Sequence, residues 1–206
     1  MKKILFLFLT AVMFTSCSTD SDSTDDSFFN LNEGNLWVYK RYFSNDGVNY
    51  SPTNSIDSVR VTGDTLINGL NYAKLVHKKY NSDVLIAVEK ECLRVDSNGH
   101  LVNENGFVYH PGTDSEFYNI RSVLIGGTED VGSIGEELLE PFTTTIEGID
   151  YFVYSYYGIF SPNDPSLPGN YIFYQYKEGL GLVCQRCAAV AGPYSTEDRL
   201  IYYELN

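Results

Sequence analysis

The sequence predicts an all-β antiparallel fold, a sandwich or an incomplete barrel of roughly a dozen short strands, with at most one short helix. Three observations carry this expectation. Tyr and Phe are abundant, at 17 and 12 of 206 residues, and aromatic side chains suit the pleated, half-buried surface of a strand. Short runs of aromatic and β-branched residues recur, punctuated by Gly, Asn and Asp. Almost no stretch spaces apolar residues at i, i+3, i+4 and i+7, as an amphipathic helix requires.

The elements follow in chain order. Leu36 to Phe43 is the first strand, ended by Asn45-Asp46-Gly47. Ile56 to Val61 alternates apolar and polar and stops at Gly63-Asp64. Asn68-Gly69 is a two-residue hairpin signal between Thr65-Leu66-Ile67 and the run Leu70 to Lys78, because Asn and Gly tolerate the positive φ of such a turn. Val84 to Val95 holds one strand or two and closes at Asp96-Ser97-Asn98-Gly99. Asn103 to Gly106 turns the chain into Phe107-Val108-Tyr109, and Phe117 to Ile125 ends at Gly126-Gly127. Gly132 to Glu140 is the helix candidate, with Ser133 as cap and Pro141 as stop. Phe142 to Ile146, Tyr151 to Phe160, Tyr171 to Lys177, Leu182 to Val190 and Leu200 to Leu205 complete the strands, and Ser161 to Gly169 is a loop with three prolines.

One pattern occurs twice. Thr65 to Tyr72 and Thr144 to Tyr151 share T-x-I-[NE]-G-[LI]-[ND]-Y, 79 positions apart. Each predicts a hairpin whose Gly takes positive φ. Two such halves would stack into a sandwich or curl into one barrel, whereas a common hairpin grammar reused within one chain would give the same pattern.

The amino terminus has a different character. Lys2 and Lys3 precede an apolar stretch from Ile4 to Phe14. As a helix it spans about 16 Å, about half a bilayer's hydrocarbon core, which fits a secretory signal and not a permanent transmembrane helix. No A-x-A-like cleavage site follows. Phe14-Thr15-Ser16-Cys17 instead resembles the lipobox of bacterial lipoproteins, with Phe14 where Leu is usual. That resemblance implies cleavage before Cys17 and acylation of its sulfur and new amino group. Two or three acyl chains anchor stably where one does not.

Ser18 to Asp26 contains only Ser, Thr and Asp, a composition that buries no apolar area and reads as a disordered, solvated tether. It also resembles the acidic export signal by which Bacteroidota send lipoproteins to the outer face of the outer membrane. The expected organisation is a signal peptide over residues 1–16, an acidic tether over 17–27, and a single β-rich domain over 28–206. The expected location is the outer membrane, lipid-anchored through Cys17 and facing the exterior. Losing Lys2 and Lys3 with the signal lowers the net charge from −13 to −15. So negative a chain argues against nucleic acid as a partner and against direct adsorption to anionic lipid.

Further stretches resemble uncharacterised surface-exposed lipoproteins of Bacteroidota. They are Gly34 to Tyr39, Asp57-Ser58-Val59 followed by Gly63-Asp64-Thr65, Leu93 to Gly99, and Gly179 to Val183. The resemblance covers most of the mature chain loosely. It implies a β-rich extracytoplasmic domain and brings no catalytic residues.

Few residues suggest chemistry. Cys92, Cys184 and Cys187 remain after Cys17 is acylated. In an extended strand Cys184 and Cys187 face opposite sides, about 10 Å apart, too far for a disulfide without a turn or bulge. A structural disulfide, either Cys92 to one of them or between the two, stands beside free thiols, and a thioredoxin-like site lacks its βαβ context. A hairpin about Glu104-Asn105 would bring His100 and His110 nearly opposite each other, near Asp96, as a conceivable metal pair; His77 is the third histidine. Asp96-x-Asn98-Gly99 mimics the start of a calcium loop but lacks the distal Glu, which leaves a plain turn. Glu136, Glu137 and Glu140 read as a helix surface, and no nucleophile elbow, zinc-protease motif or phosphate loop occurs. The sequence therefore calls for no metal, cofactor or catalytic residue.

The binding signal is aromatic. Tyr151 to Tyr157 and Tyr171 to Tyr176 place rings on both strand faces. One face serves the core; Tyr154, Tyr156, Tyr174 and Tyr176 are the candidate ligand-facing set, presented to solvent if the other face is uncovered. The reading is a non-catalytic module binding a glycan, a peptide or a partner protein. The alternatives are a hydrolase of surface polymers, with a carboxylate pair in an open cleft, and a lipocalin-like carrier with an enclosed apolar cavity.

Overall fold

The computed structural model describes residues 28–167, 169–189 and 192–206; residues 1–27, with Cys17 and the acidic tether, lie outside them. Among the described residues there are thirteen strands and no helix. The first six are β1 (Leu36–Ser44), β2 (Ser51–Ile67), β3 (Leu70–Asn81), β4 (Val84–Val95), β5 (Leu101–Asn103) and β6 (Val108–His110). The remaining seven are β7 (Tyr118–Ile125), β8 (Glu129–Leu138), β9 (Phe142–Ile146), β10 (Ile149–Pro162), β11 (Asn170–Lys177), β12 (Gly181–Ala188) and β13 (Ser195–Glu204).

All pairings are antiparallel and build one open sheet in the order β6-β5-β4-β3-β2-β1-β13-β12-β11-β10-β8-β7, with β9 also on β10. Two meanders, β1 to β6 and β7 to β13, are thus joined where β1 meets β13. The segment from Pro111 to Phe117 links the two outer edges. Register shifts interrupt several ladders, including β1–β2 at Lys40/Tyr42, β2–β3 at Val61/Asp64 and β11–β12 at Gln175/Tyr176. Bulges of this kind increase local twist and bend a sheet. The sheet curls until β6 approaches β10, where His110 Nε2 lies 3.1 Å from the Tyr154 carbonyl. The architecture is an incomplete barrel closed by side chains.

Asn68-Gly69 and Glu147-Gly148 form the β2–β3 and β9–β10 turns, with φ of 51° and 82° and of 52° and 81°. The repeated sequence pattern thus encodes one hairpin type twice. Val84 to Val95 is a single strand.

The helix expected over Gly132 to Glu140 is instead most of β8, paired to β7 and β10. Its side chains alternate, with Ile134, Glu136 and Leu138 buried. The Glu- and Leu-rich run has helical propensity, but two ladders and a period-2 buried face outweigh it. Glu136 is therefore no surface residue. At 1% exposure it accepts hydrogen bonds from Arg121 Nε at 3.1 Å, Asn119 Nδ2 at 3.0 Å and the Tyr156 hydroxyl at 3.3 Å.

The main core fills the inside of the curl. Trp37, Val59, Val61, Leu75, Leu93 and Leu101 are buried there, and Phe29 and Leu31 reach it from the segment before β1. Trp37 donates from Nε1 to the Leu180 carbonyl at 2.7 Å, so its one polar atom is satisfied. The segment is pinned by Gly179 N donating to Phe28 O at 3.1 Å and Asn30 Nδ2 donating to Gly179 O at 2.9 Å. The β9–β10 hairpin adds Ile146, Tyr151 and Val153 to the same cluster as Cys184 and Leu200, and Glu147 there pairs with Arg199 of β13.

Candidate functional site

Inside the curl lies a cavity of about 110 Å³. Its buried floor includes Phe29, Leu31, Trp37, Val59, Leu75, Leu93, Leu101 and Tyr176. Its half-exposed side is polar, with Asp57, His77, Glu91, Tyr109, Tyr174 and Gln185. Asp198 also lines it. Among the described residues no Ser, Thr, Cys, Lys or Arg contributes to the lining.

Strand pairing explains the polar row. Inner positions run Val61-Val59-Asp57 on β2, Ala73-Leu75-His77 on β3 and Leu93-Glu91 on β4, apolar toward one end and charged toward the other. Asp57 pairs with Lys79 and His77 with Glu89, so Asp57, His77 and Glu91 are diagonal neighbours, within reach of long side chains. His77 Nδ1 lies 3.0 Å from Asp57 Oδ2 and its Nε2 lies 3.5 Å from Glu91 Oε2. Burial pulls the imidazole toward neutrality, but the hydrogen bonds and charges of both carboxylates outweigh it and lift its pKa to about 9. Burial raises the Glu91 carboxyl, yet hydrogen bonds from His77 and the Tyr109 hydroxyl leave it below its usual value. The Tyr109 phenol is pushed well up, by burial first and then by Glu91. The row Asp57–His77–Glu91–Tyr109 is a hydrogen-bonded rim with a protonated imidazole at its centre. One atom stands outside it: Asp57 Oδ1 is buried and has no hydrogen-bond partner.

Asp198 is committed elsewhere. Arg41 grips it with two bonds, Nε to Oδ1 at 2.7 Å and Nη2 to Oδ2 at 2.8 Å, and Gln185 Nε2 donates to Oδ2 at 3.0 Å.

The four tyrosines of the aromatic expectation lie on strands β10 and β11, Tyr154 opposite Tyr176 and Tyr156 opposite Tyr174. They are not a solvent-presented row. Tyr156 and Tyr176 are buried, and Tyr154 and Tyr174 are half-buried. Tyr156 and Tyr176 pack about His110, whose ring centroid lies 4.6 Å from that of Tyr176 and 6.0 Å from that of Tyr156, while Tyr154 meets Phe28 at 5.2 Å. Curling of the sheet turns this face inward, where a flat sheet would expose it. Tyr174 and Tyr176 line the cavity; Tyr154 and Tyr156 do not.

His100 and His110 do not share a metal geometry. His100 Nε2 lies 3.1 Å from Asp114, with Asp96 3.9 Å from its Nδ1. His110 is fully buried; Nδ1 accepts from Gly112 N at 3.0 Å, and burial drops its pKa to about 3, so it is a neutral closure post. Among the described residues no group of three or more His, Cys, Asp or Glu is placed to hold a metal ion. Asp96 Oδ1 accepts from Asn98 N and His100 N at 2.9 Å each, which makes the calcium-like motif a turn. Cys92, Cys184 and Cys187 are free thiols, with Cys184 buried and Cys187 exposed, as opposite faces of one strand require.

The fold recurs in solved structures of distantly similar proteins. In particular the chain is similar to a presumed exported protein with a YmcC-like fold from Bacteroides fragilis, with a TM-score of 0.53 and 11% identity over 86% of this chain and 98% of that one. It is likewise similar to a presumed lipoprotein from Parabacteroides distasonis, with a TM-score of 0.51 and 13% identity over 86% of this chain and 99% of that one. No family model and no curated protein matches the chain.

Proposed function

We propose that the protein is a lipid-anchored protein of the outer-membrane surface that binds a ligand in the cavity of its curled sheet and catalyses no reaction. The observation that carries this reading is the cavity itself, an apolar and aromatic floor beneath a short polar rim, the usual make-up of a ligand site. At about 110 Å³ it is smaller than an engineered cavity of about 150 Å³ that encloses benzene, so it seats one small group of a ligand whose remainder lies in the open mouth. That suits a peptide side chain or a small molecule, whereas a lipocalin-type carrier encloses its ligand in a far larger cavity. The only hydroxyls in the lining are tyrosine phenols, those of Tyr39, Tyr109, Tyr174 and Tyr176, and Asp57 and Glu91 are both engaged by one imidazolium. Anchoring rests on Cys17 and its context, supported by the lipoprotein and exported-protein neighbours.

Trp37, the one tryptophan in the chain, reports on the floor directly. Titration with single-ring aromatic and short alkyl compounds should shift or quench its fluorescence saturably, and Val59→Phe, which fills the floor, should abolish the effect. A panel that leaves the fluorescence unchanged overturns the binding reading. Cys17→Ala should release the protein from the membrane fraction, and continued attachment would refute the lipid anchor.

A further inference from the structure

Three carboxylates line the cavity, Asp57, Glu91 and Asp198, against a single imidazole, His77. Asp198 is neutralised by Arg41. Lys79, the nearest ammonium by register, is drawn to Glu89 at 2.6 Å and does not line the cavity. Asp57 and Glu91 therefore share one positive charge, and the rim carries an uncompensated negative charge. The second observation is independent: Asp57 Oδ1 is buried without a donor, an unsatisfied acceptor that a ligand's donor would complete. The third is the wall material. Tyr39, Tyr109, Tyr174 and Trp37 surround the space with π-systems, which attract cations as well as apolar groups.

These features agree on one ligand chemistry. We infer that the cavity takes a small organic amine, its ammonium donating to Asp57 Oδ1 at the rim and its alkyl or aryl stem resting on the floor near Trp37, Val59 and Leu75. This rests on the reading of the cavity as the ligand site and adds the chemical class. A carboxylate ligand would meet two acids and an acceptor without a donor. A neutral hydroxyl would satisfy the acceptor but leave the charge. An ammonium on an apolar stem does both.

The test uses three probes with one stem: benzylamine, benzyl alcohol and benzoate, each titrated at pH 7 and low salt with Trp37 fluorescence and calorimetry. Benzylamine should bind at least tenfold more tightly than benzyl alcohol, and benzoate most weakly. Asp57→Asn should bring benzylamine down to the affinity of benzyl alcohol while the alcohol's own affinity holds. Glu91→Gln, which leaves Asp57 intact, should narrow the preference by a smaller factor and guards against an Asp57 variant that fails to fold. If the alcohol binds as well as the amine, or the preference survives both substitutions, the amine inference falls while the cavity remains a ligand site. If none of the three binds, both fall.

Discussion

The most demanding consequence of the rim concerns His77 and pH. The perturbation is to raise pH from 6 to 10 for the native chain and for His77→Gln, which keeps a polar side chain but never carries charge. The folded imidazole titrates at about 9 and an unperturbed one at 6.5. That separation corresponds to about 3 kcal/mol at about 1.4 kcal/mol per pH unit. The ring's remaining solvent contact reduces this toward about 2 kcal/mol. The sign follows from the raised folded-state value: the contribution is complete below about pH 6.5 and is lost as pH rises through about 9. Urea denaturation followed by Trp37 fluorescence at each pH gives both stabilities, and subtracting the variant cancels the titration of Cys and Tyr. The native-minus-variant gap should be largest at pH 6 and about 2 kcal/mol smaller at pH 10. A gap that stays constant over that range, or that closes near pH 6.5, would falsify the ion-paired rim.

Other consequences are simpler. Arg121→Ala strands the buried Glu136 charge and should cost about 3 kcal/mol in chemical denaturation, and adding Glu136→Gln should recover a large part of it; strictly additive losses would contradict the pairing. Leu101→Ala opens the floor at a residue with 1% exposure and should cost about 2–5 kcal/mol by the same measurement. Iodoacetamide should modify Cys187 in the native protein and Cys184 only after unfolding, because burial raises the Cys184 thiol far above its ordinary value; mass spectrometry that finds Cys184 labelled first would overturn the assignment of faces.

The strands were legible because each carries its own signal, aromatic and β-branched runs bounded by turn residues. Asn68-Gly69 states its turn type in two letters. Gly132 to Glu140 misleads because propensity is local while β8 is fixed by Tyr118–Ile125 and Tyr156–Pro162, one before and one after it in the chain. The tyrosines were legible as paired residues but not as inward-facing ones, since curvature comes from bulges that no single run announces. The rim went unread for a different reason. Asp57, His77, Glu91 and Tyr109 stand on four strands, and each is an ordinary polar letter within its own. A usable signal was nonetheless present: Asp57 continues the alternation of Val59 and Val61, His77 that of Ala73 and Leu75, and Glu91 precedes Leu93 by two. A charge in phase with a core face is a charge placed inside.

The seam between β1 and β13 has a consequence in time. Leu36 pairs with Glu204 and Ser44 with Ser195, so the central joint of the sheet unites the first and the last of the described strands. Asn35 Oδ1 accepts from Asn206 N at 2.7 Å and locks the same joint. Each meander can begin to zip locally as it emerges from the ribosome, but β1 waits with a bare edge until its last partner is made. Contacts between such distant residues form slowly. Until β13 has been made that edge of β1 is open, and in the interval it is vulnerable to any other strand that finds it first.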